Sequence, residues 1–165
     1  MQWNNKFVYP KSTRSIIHGS RHYAINQENL PSVTTILKAT ESEEKKAKLA
    51  EWKERIGHKQ AEIISKEATS RGSSMHGYLE KFLLGKLNMD LLGDNVREKM
   101  MADQIIESGL RNKLNEIWGC EATLHYPGKY AGSADCIGIY ENKETIIDFK
   151  QSNKPKKDEW IDDYY

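Results

Sequence analysis

The sequence has no apolar run approaching the roughly 20 residues that a bilayer-spanning helix needs. Its N-terminus, MQWNNKFVYPKSTR, lacks the apolar core of a signal peptide and is too poor in Arg to read as a transit segment. Membrane residence and secretion are therefore not expected, and a cytoplasmic protein of a bacterium or phage-infected cell is the default. Excess charge is also missing. Lys and Arg number 25 against 24 Asp and Glu, a net charge of +1, so overall charge announces no nucleic-acid partner. There are only two cysteines, Cys120 and Cys136, too few and too far apart for a metal knuckle. They read as reduced, buried small apolar residues. Internal repeats and low-complexity segments are absent, which excludes solenoids and linker-like disorder.

What is present suits one folded unit. A chain of 165 residues can bury a real core but is short for two domains. Residues 1–30 read as irregular, with a possible strand at 21–25. Ser32 and Ser42 stand where helix N-caps are expected, opening helices to about Ala39 and Gly57. Further helix is expected from Lys59 to Ala68, resuming after Arg71-Gly72 as far as Gly85. Residues 86–93 read as a loop, Asp94 as the cap of a helix through Glu107, and Gly109 as a break before more helix to Trp118. The character changes at Gly119, where three β-rich stretches, 121–126, 130–140 and 144–150, form a meander. The fold class expected is mixed α/β (α+β), a helical front half packed on a sheet that helices cover on both sides.

The last two strands carry the chemistry. If they meet in a tight turn at Glu141-Asn142, with Tyr140 opposite Lys143, antiparallel counting sets Asp135 opposite Asp148. Lys150 then projects from the same face. Two facing carboxylates in apolar surroundings repel and lose hydration, a conflict that a divalent cation removes. Mg²⁺, or Mn²⁺, suits such an oxygen-rich site, and Lys150 could orient an attacking water or stabilise phosphoryl charge. The alternative is a buried Asp–Lys ion pair with a second, solvated Asp. Glu121, on the preceding strand, is either a further ligand acting through water or an exposed edge charge. On a helix, His76 and Glu80 are four residues apart. They fit either a phosphate-contacting histidine held by Glu80 or a plain surface pair.

Gly132-Ser133-Ala134-Asp135 followed by Ile147-Asp148-Phe149-Lys150 resembles the core of RecB-like nucleases in the PD-(D/E)XK superfamily. Leu30-Pro31-Ser32-Val33-Thr34, Trp52-Lys53-Glu54-Arg55 and Gly72…His76…Leu79-Glu80 match in the same order. The resemblance implies a restriction-endonuclease-like core, with Asp135, Asp148 and the backbone carbonyl of Phe149 as metal ligands. It also implies Lys150 as the water-positioning base, His76 as a helper near the metal and Glu121 as the family's acid on the preceding strand. The substrate implied is DNA, preferentially single strands with free ends, in replication, repair or recombination and alongside proteins of those processes. Lys53, Arg55, Arg71, Ser152 and Lys154 are candidate phosphate contacts, and Trp52 or Tyr78 could stack on bases. A structure-selective endonuclease and a catalytically idle DNA-binding module are the alternatives. Such nucleases follow Asp-x-Lys with a Gln-x-x-x-Tyr helix. This sequence stops at Tyr165, about where that helix should begin, and so reads as a fragment or a minimal form.

Overall fold

A computed structural model describes residues 1–86 and 96–152. The expected loop at 86–93, the Asp94 cap, Lys154 and the start of the C-terminal helix lie wholly or largely outside these residues. The elements run β1 (Gln2–Trp3), β2 (Thr13–Ile17), β3 (Ser20–Ile25), β4 (Glu28–Pro31), α1 (Val33–Ala39), α2 (Glu43–Ile56) and α3 (His58–Leu83). Then come α4 (Val96–Ile105), a π-helical turn (Ile106–Leu110), β5 (Leu114–Tyr126), β6 (Tyr130–Tyr140) and β7 (Lys143–Ile147). One sheet has the order β1-β5-β6-β7, with β1 parallel to β5 and the remaining pairs antiparallel; β2, β3 and β4 form a second, antiparallel sheet. The mixed α+β class is thus the observed one.

Local chemistry sets the helix boundaries. Ser32 and Ser42 each accept a hydrogen bond from the backbone N–H three residues on, Thr35 at 3.0 Å and Lys45 at 3.3 Å. A cap of this kind is worth about 1 kcal/mol. Gly57 ends α2 with φ +85°, a conformation that favours glycine. Helix α3 does not break at Arg71-Gly72 but runs unbroken for 26 residues. Its buried residues explain the continuity: Met75, Leu79 and Leu83 recur every fourth position and anchor one face in the core. Opposite them stand Ala102, Ile106 and Leu110 at the same spacing, and Leu114, Ile117, Cys136 and Phe149 from the sheet side.

The sheet begins earlier than the sequence suggested. Leu114–Trp118, expected as helix, is strand, because pairing with β6 and β1 overrides a weak local preference. The N-terminal 30 residues, expected as irregular but for a possible strand at 21–25 that β3 matches, supply four strands, and Tyr23, Ile25 and Leu30 pack with Ala131 of β6. Among the described residues the two faces of the larger sheet are covered differently. Helices α3 and α4 cover one; on the other, Trp118, Ala122 and Ile137 pack with Tyr9 of the N-terminal segment. Phe7 meets the Trp118 ring edge-on at 5.7 Å, and Lys6 lies 3.8 Å above that ring.

Candidate active site

The hairpin register follows from its turn. Glu141 and Asn142 both have positive φ, +46° and +64°, as a two-residue type I′ turn requires. Tyr140 pairs with Lys143 and Cys136 with Ile147, the register read from the sequence. The ladder ends there, one pair short of Asp135 and Asp148. Instead of an Asp–Asp pair, the Phe149 N–H donates to Asp135 Oδ2 at 2.7 Å. Asp148 turns outward, its side chain 58% exposed, with both oxygens on Lys150 Nζ at 2.7 and 2.6 Å. The expected face-to-face placement of Asp135 and Asp148 is corrected accordingly. The cause is a second anchor further along: Gln151 accepts from Arg71 Nε at 3.0 Å and donates to the Ala68 carbonyl at 3.2 Å. These bonds pull the chain after β7 off the sheet and onto α3.

The opposite edge of Asp135 faces a different acid. Along β5 and β6 the pairs Cys120–Cys136 and Ala122–Ala134 are in register, while the intervening Glu121 and Asp135 are not ladder partners. Residues two apart on a strand normally share a face. Here Cys120 and Cys136 pack with the α3 core, whereas Ala122 and Ala134 pack with Trp118 on the far side. The faces switch at Glu121, whose φ of +48° is left-handed. A non-glycine residue there costs roughly 1–2 kcal/mol. What the distortion achieves is to turn Glu121 and Asp135 to the same side, toward α3. Ser133 Oγ donates to Glu121 Oε2 at 2.8 Å and holds it there.

His76 completes the group. With Met75 locked in the core, the next residue lies at the border of the α3 core face, above the kink. Its Nδ1 is 3.6 Å from Asp135 Oδ1, an electrostatic contact rather than a hydrogen bond. Its ring stands edge-on to Phe149 with centroids 6.2 Å apart. The partner of His76 is therefore Asp135 and not Glu80, which is exposed. One ligand atom from each of His76, Glu121 and Asp135 lies within 4.8 Å of the others. This nitrogen and two carboxylates, all half-buried, form the one group among the described residues whose geometry could hold a metal ion. Asp148 stands outside it.

Electrostatics fit that arrangement. The neighbouring Asp135 carboxylate raises the His76 pKa above its usual 6.5, against the lowering effect of burial. Burial pushes Asp135 up. His76, the Phe149 N–H and Lys150 together outweigh it and bring the carboxyl below its usual 3.8. Cys120 and Cys136 are free, as expected, and burial pushes both thiols up to about 12. Their direct cross-strand pairing was not foreseen.

The other candidate residues are scattered. Lys53 and Arg55 sit in the last turn of α2, beside the start of α3. At 1.5 Å per residue, that end of α3 is roughly 27 Å from His76 along the helix. Arg71 is engaged with Gln151, and Ser152 lines a cleft with Lys150. Tyr78 packs against the core, and Trp52 is half-buried. Sequence reasoning missed the Arg71–Gln151 tie and the Ser133 support of Glu121. The first joins residues 80 positions apart and leaves no local signal.

No family model and no solved structure matches the chain. Curated proteins do. A mouse protein is 35% identical over 140 residues, 80% of this chain and 40% of its own length. Human and Xenopus tropicalis proteins are 30% and 32% identical over 135 residues, 77% of this chain and 38% and 37% of theirs. All three are named mitochondrial genome maintenance exonuclease 1. The chain spans about two-fifths of the length of these relatives. Their mitochondrial, animal origin overturns the expectation of a cytoplasmic protein of a bacterium or phage-infected cell. Over about four-fifths of its length, this chain is similar to the mitochondrial genome maintenance exonucleases.

Proposed function

We propose that the chain is the core of a metal-dependent DNA exonuclease of the PD-(D/E)XK kind, acting on free ends of single strands. The observation that carries this reading is the convergence of His76, Glu121 and Asp135 within 4.8 Å beside the Asp148–Lys150 pair. The named activity of the relatives is consistent with it. The donor set fits a divalent cation in its chemistry: two carboxylates suit Mg²⁺, and an added imidazole extends the range to Mn²⁺. Asp135, Glu121 and His76 would hold the ion, with Asp148 and the Phe149 carbonyl at the edge nearest the substrate. A cation bound there supplies positive charge to the phosphoryl oxygens and acidifies water.

The chain's own residues do the rest. Lys150 Nζ, steadied by Asp148, orients the attacking water and neutralises charge that grows on the phosphate. Phe149, 6% exposed, closes the floor of the site and fixes Asp135 through its N–H. The tie from Gln151 to Arg71 and Ala68 holds Lys150 at the mouth. Holding donors on strands and a core-anchored helix suits phosphodiester hydrolysis, in which positioning and electrostatics supply most of the rate.

The test is digestion of end-labelled linear and closed circular DNA, single- and double-stranded, with Mg²⁺, Mn²⁺ or EDTA. The proposal expects cleavage of linear single strands with either metal, none with EDTA, and intact circles. Cutting of closed circles would make the activity endonucleolytic. Cleavage in EDTA would remove the metal from the account.

A further inference from the structure

Beside Lys150 lies a cleft of about 420 Å³ between α4 with its π-turn and the segment after β7. Met101 and Ile105 form its apolar wall, with the buried Met75 beneath them. Gln104 and Ser108 stand on its rim, and Lys150 closes one end. Clefts of roughly 300–1,000 Å³ with apolar walls and a few polar groups are typical of small-ligand sites, and one nucleotide falls within that range. The walls are suited to a flat aromatic ring, since methionine thioethers make favourable contacts with ring edges. On the rim, the Gln104 amide and the Ser108 hydroxyl can both give and accept hydrogen bonds, so they meet a base edge without selecting one base. At the Lys150 end, a phosphate would share the ammonium that both Asp148 oxygens hold.

The helix geometry points the same way. Ile106–Leu110 is a π-turn at the end of α4, a form that is rare and concentrated at functional sites. The wider turn keeps Ile106 and Leu110 in the core while Ser108 and Gly109 border the cleft. Gly109 does not need to be glycine for steric reasons. A Cβ placed there meets only the Ile105 Cγ2 at an ordinary 3.9 Å, and its φ is not left-handed. A small residue at this point leaves the cleft open.

We infer that this cleft seats one nucleotide of the substrate, the base against Met101 and Ile105 and the phosphate toward Lys150. It is the nucleotide adjoining the bond that is cut. The inference rests on the nuclease reading for its substrate class, and its test separates the two. The experiment uses the full chain in EDTA, where no cleavage is expected, with oligonucleotides carrying 2-aminopurine at one end, the other end or the interior. Binding should change the fluorescence at one position and not at the others. Gly109→Leu, which fills the cleft, should remove that change, and Gly109→Ala should keep it. Because Gln104 and Ser108 are exposed, the Gln104→Ala/Ser108→Ala double variant leaves the core intact. Under metal, it should raise KM about fivefold with kcat within about twofold, the scale of one or two lost hydrogen bonds. An abasic nucleotide at the responsive position should do the same. A position-specific signal that Gly109→Leu removes, in a chain that cuts no DNA, would support the nucleotide site and defeat the nuclease reading. Normal cleavage with no position-specific signal, or with KM unchanged in the double variant, would overturn the cleft as a nucleotide site.

Discussion

The two aspartates of the hairpin began as equals and ended in different surroundings. Asp135 sits in mid-sheet with its side chain 12% exposed, bonded to the Phe149 N–H and flanked by His76. Asp148, just beyond the last ladder pair, is 58% exposed and held by Lys150 alone among the described residues. The contrast separates two ways of building a site. At Asp135 the sheet itself is bent, with Glu121 paying in backbone strain for a fixed donor position. At Asp148 and Lys150 the chain has left the sheet, and a side-chain tie to α3 sets its course. The first region is held by the sheet; the second is held by side-chain bonds.

The comparison can be broken by exchanging what each aspartate loses. Asp135→Asn should lower kcat/KM on the order of 10³-fold and remove metal binding together with it. Asp148→Asn and Lys150→Ala should abolish measurable cleavage, but with DNA binding retained and metal binding largely kept. Full activity in either of those two variants, assayed on end-labelled single strands, would sink the mechanism. So would an Asp135→Asn enzyme that cleaves at the wild-type rate.

A sharper cut separates strain from chemistry at Glu121. Glycine tolerates the left-handed backbone there, so Glu121→Gly should be more stable in thermal melts than Glu121→Gln, by about 1 kcal/mol. Both should lose on the order of 10²-fold in activity. If Glu121→Gln cleaves normally, Glu121 is no ligand and the kink serves something else.

The region held by side-chain bonds should respond more gently. Gln151→Ala frees the segment from α3 and should lower kcat about tenfold through misplacement of Lys150, with metal affinity unchanged. Glu at the same position, still able to accept from Arg71, should recover part of the rate. Equal loss in Gln151→Ala and Gln151→Glu would argue against the tie as the positioning element.

The smallest effect expected is in pH dependence without metal. His76 has a raised pKa when folded, so its contribution to stability is complete below about pH 6.5 and fades as pH rises through the raised value. Asp135 has a lowered pKa, so its contribution is present above 3.8 and fades as pH falls through the lowered value. Wild type should therefore exceed His76→Gln in melting temperature most between those two values. The gap should narrow toward alkaline pH. A gap that widens there, followed by melts in EDTA, would contradict the assigned contact.

Local features of this fold were legible and non-local ones were not. Ser32, Ser42 and Gly57 announced helix ends because caps act within three or four residues. Glu141-Asn142 announced a turn, and the turn fixed the register that brings Asp135 to its place. The identity of the helical histidine followed from the family likeness rather than from spacing, which left His76 open. Glu121 was noticed but not understood, because a left-handed glutamate inside a strand has no signature in sequence. Helix α3 continues through Arg71-Gly72, which read locally as a break, because Met75, Leu79 and Leu83 are held by tertiary packing. The position of Asp148 depended on Gln151 meeting a residue 80 positions earlier, and no pattern within the hairpin could disclose it.

The central claim is that Asp135, with Glu121 and His76, forms the metal centre, and that Asp148 stands at its edge. Calorimetric titration of Mn²⁺ into wild type, Asp135→Asn and Asp148→Asn tests it without relying on cleavage. The account predicts one site in wild type, lost in Asp135→Asn and weakened by no more than about tenfold in Asp148→Asn. Undiminished binding in Asp135→Asn, or complete loss confined to Asp148→Asn, would contradict it.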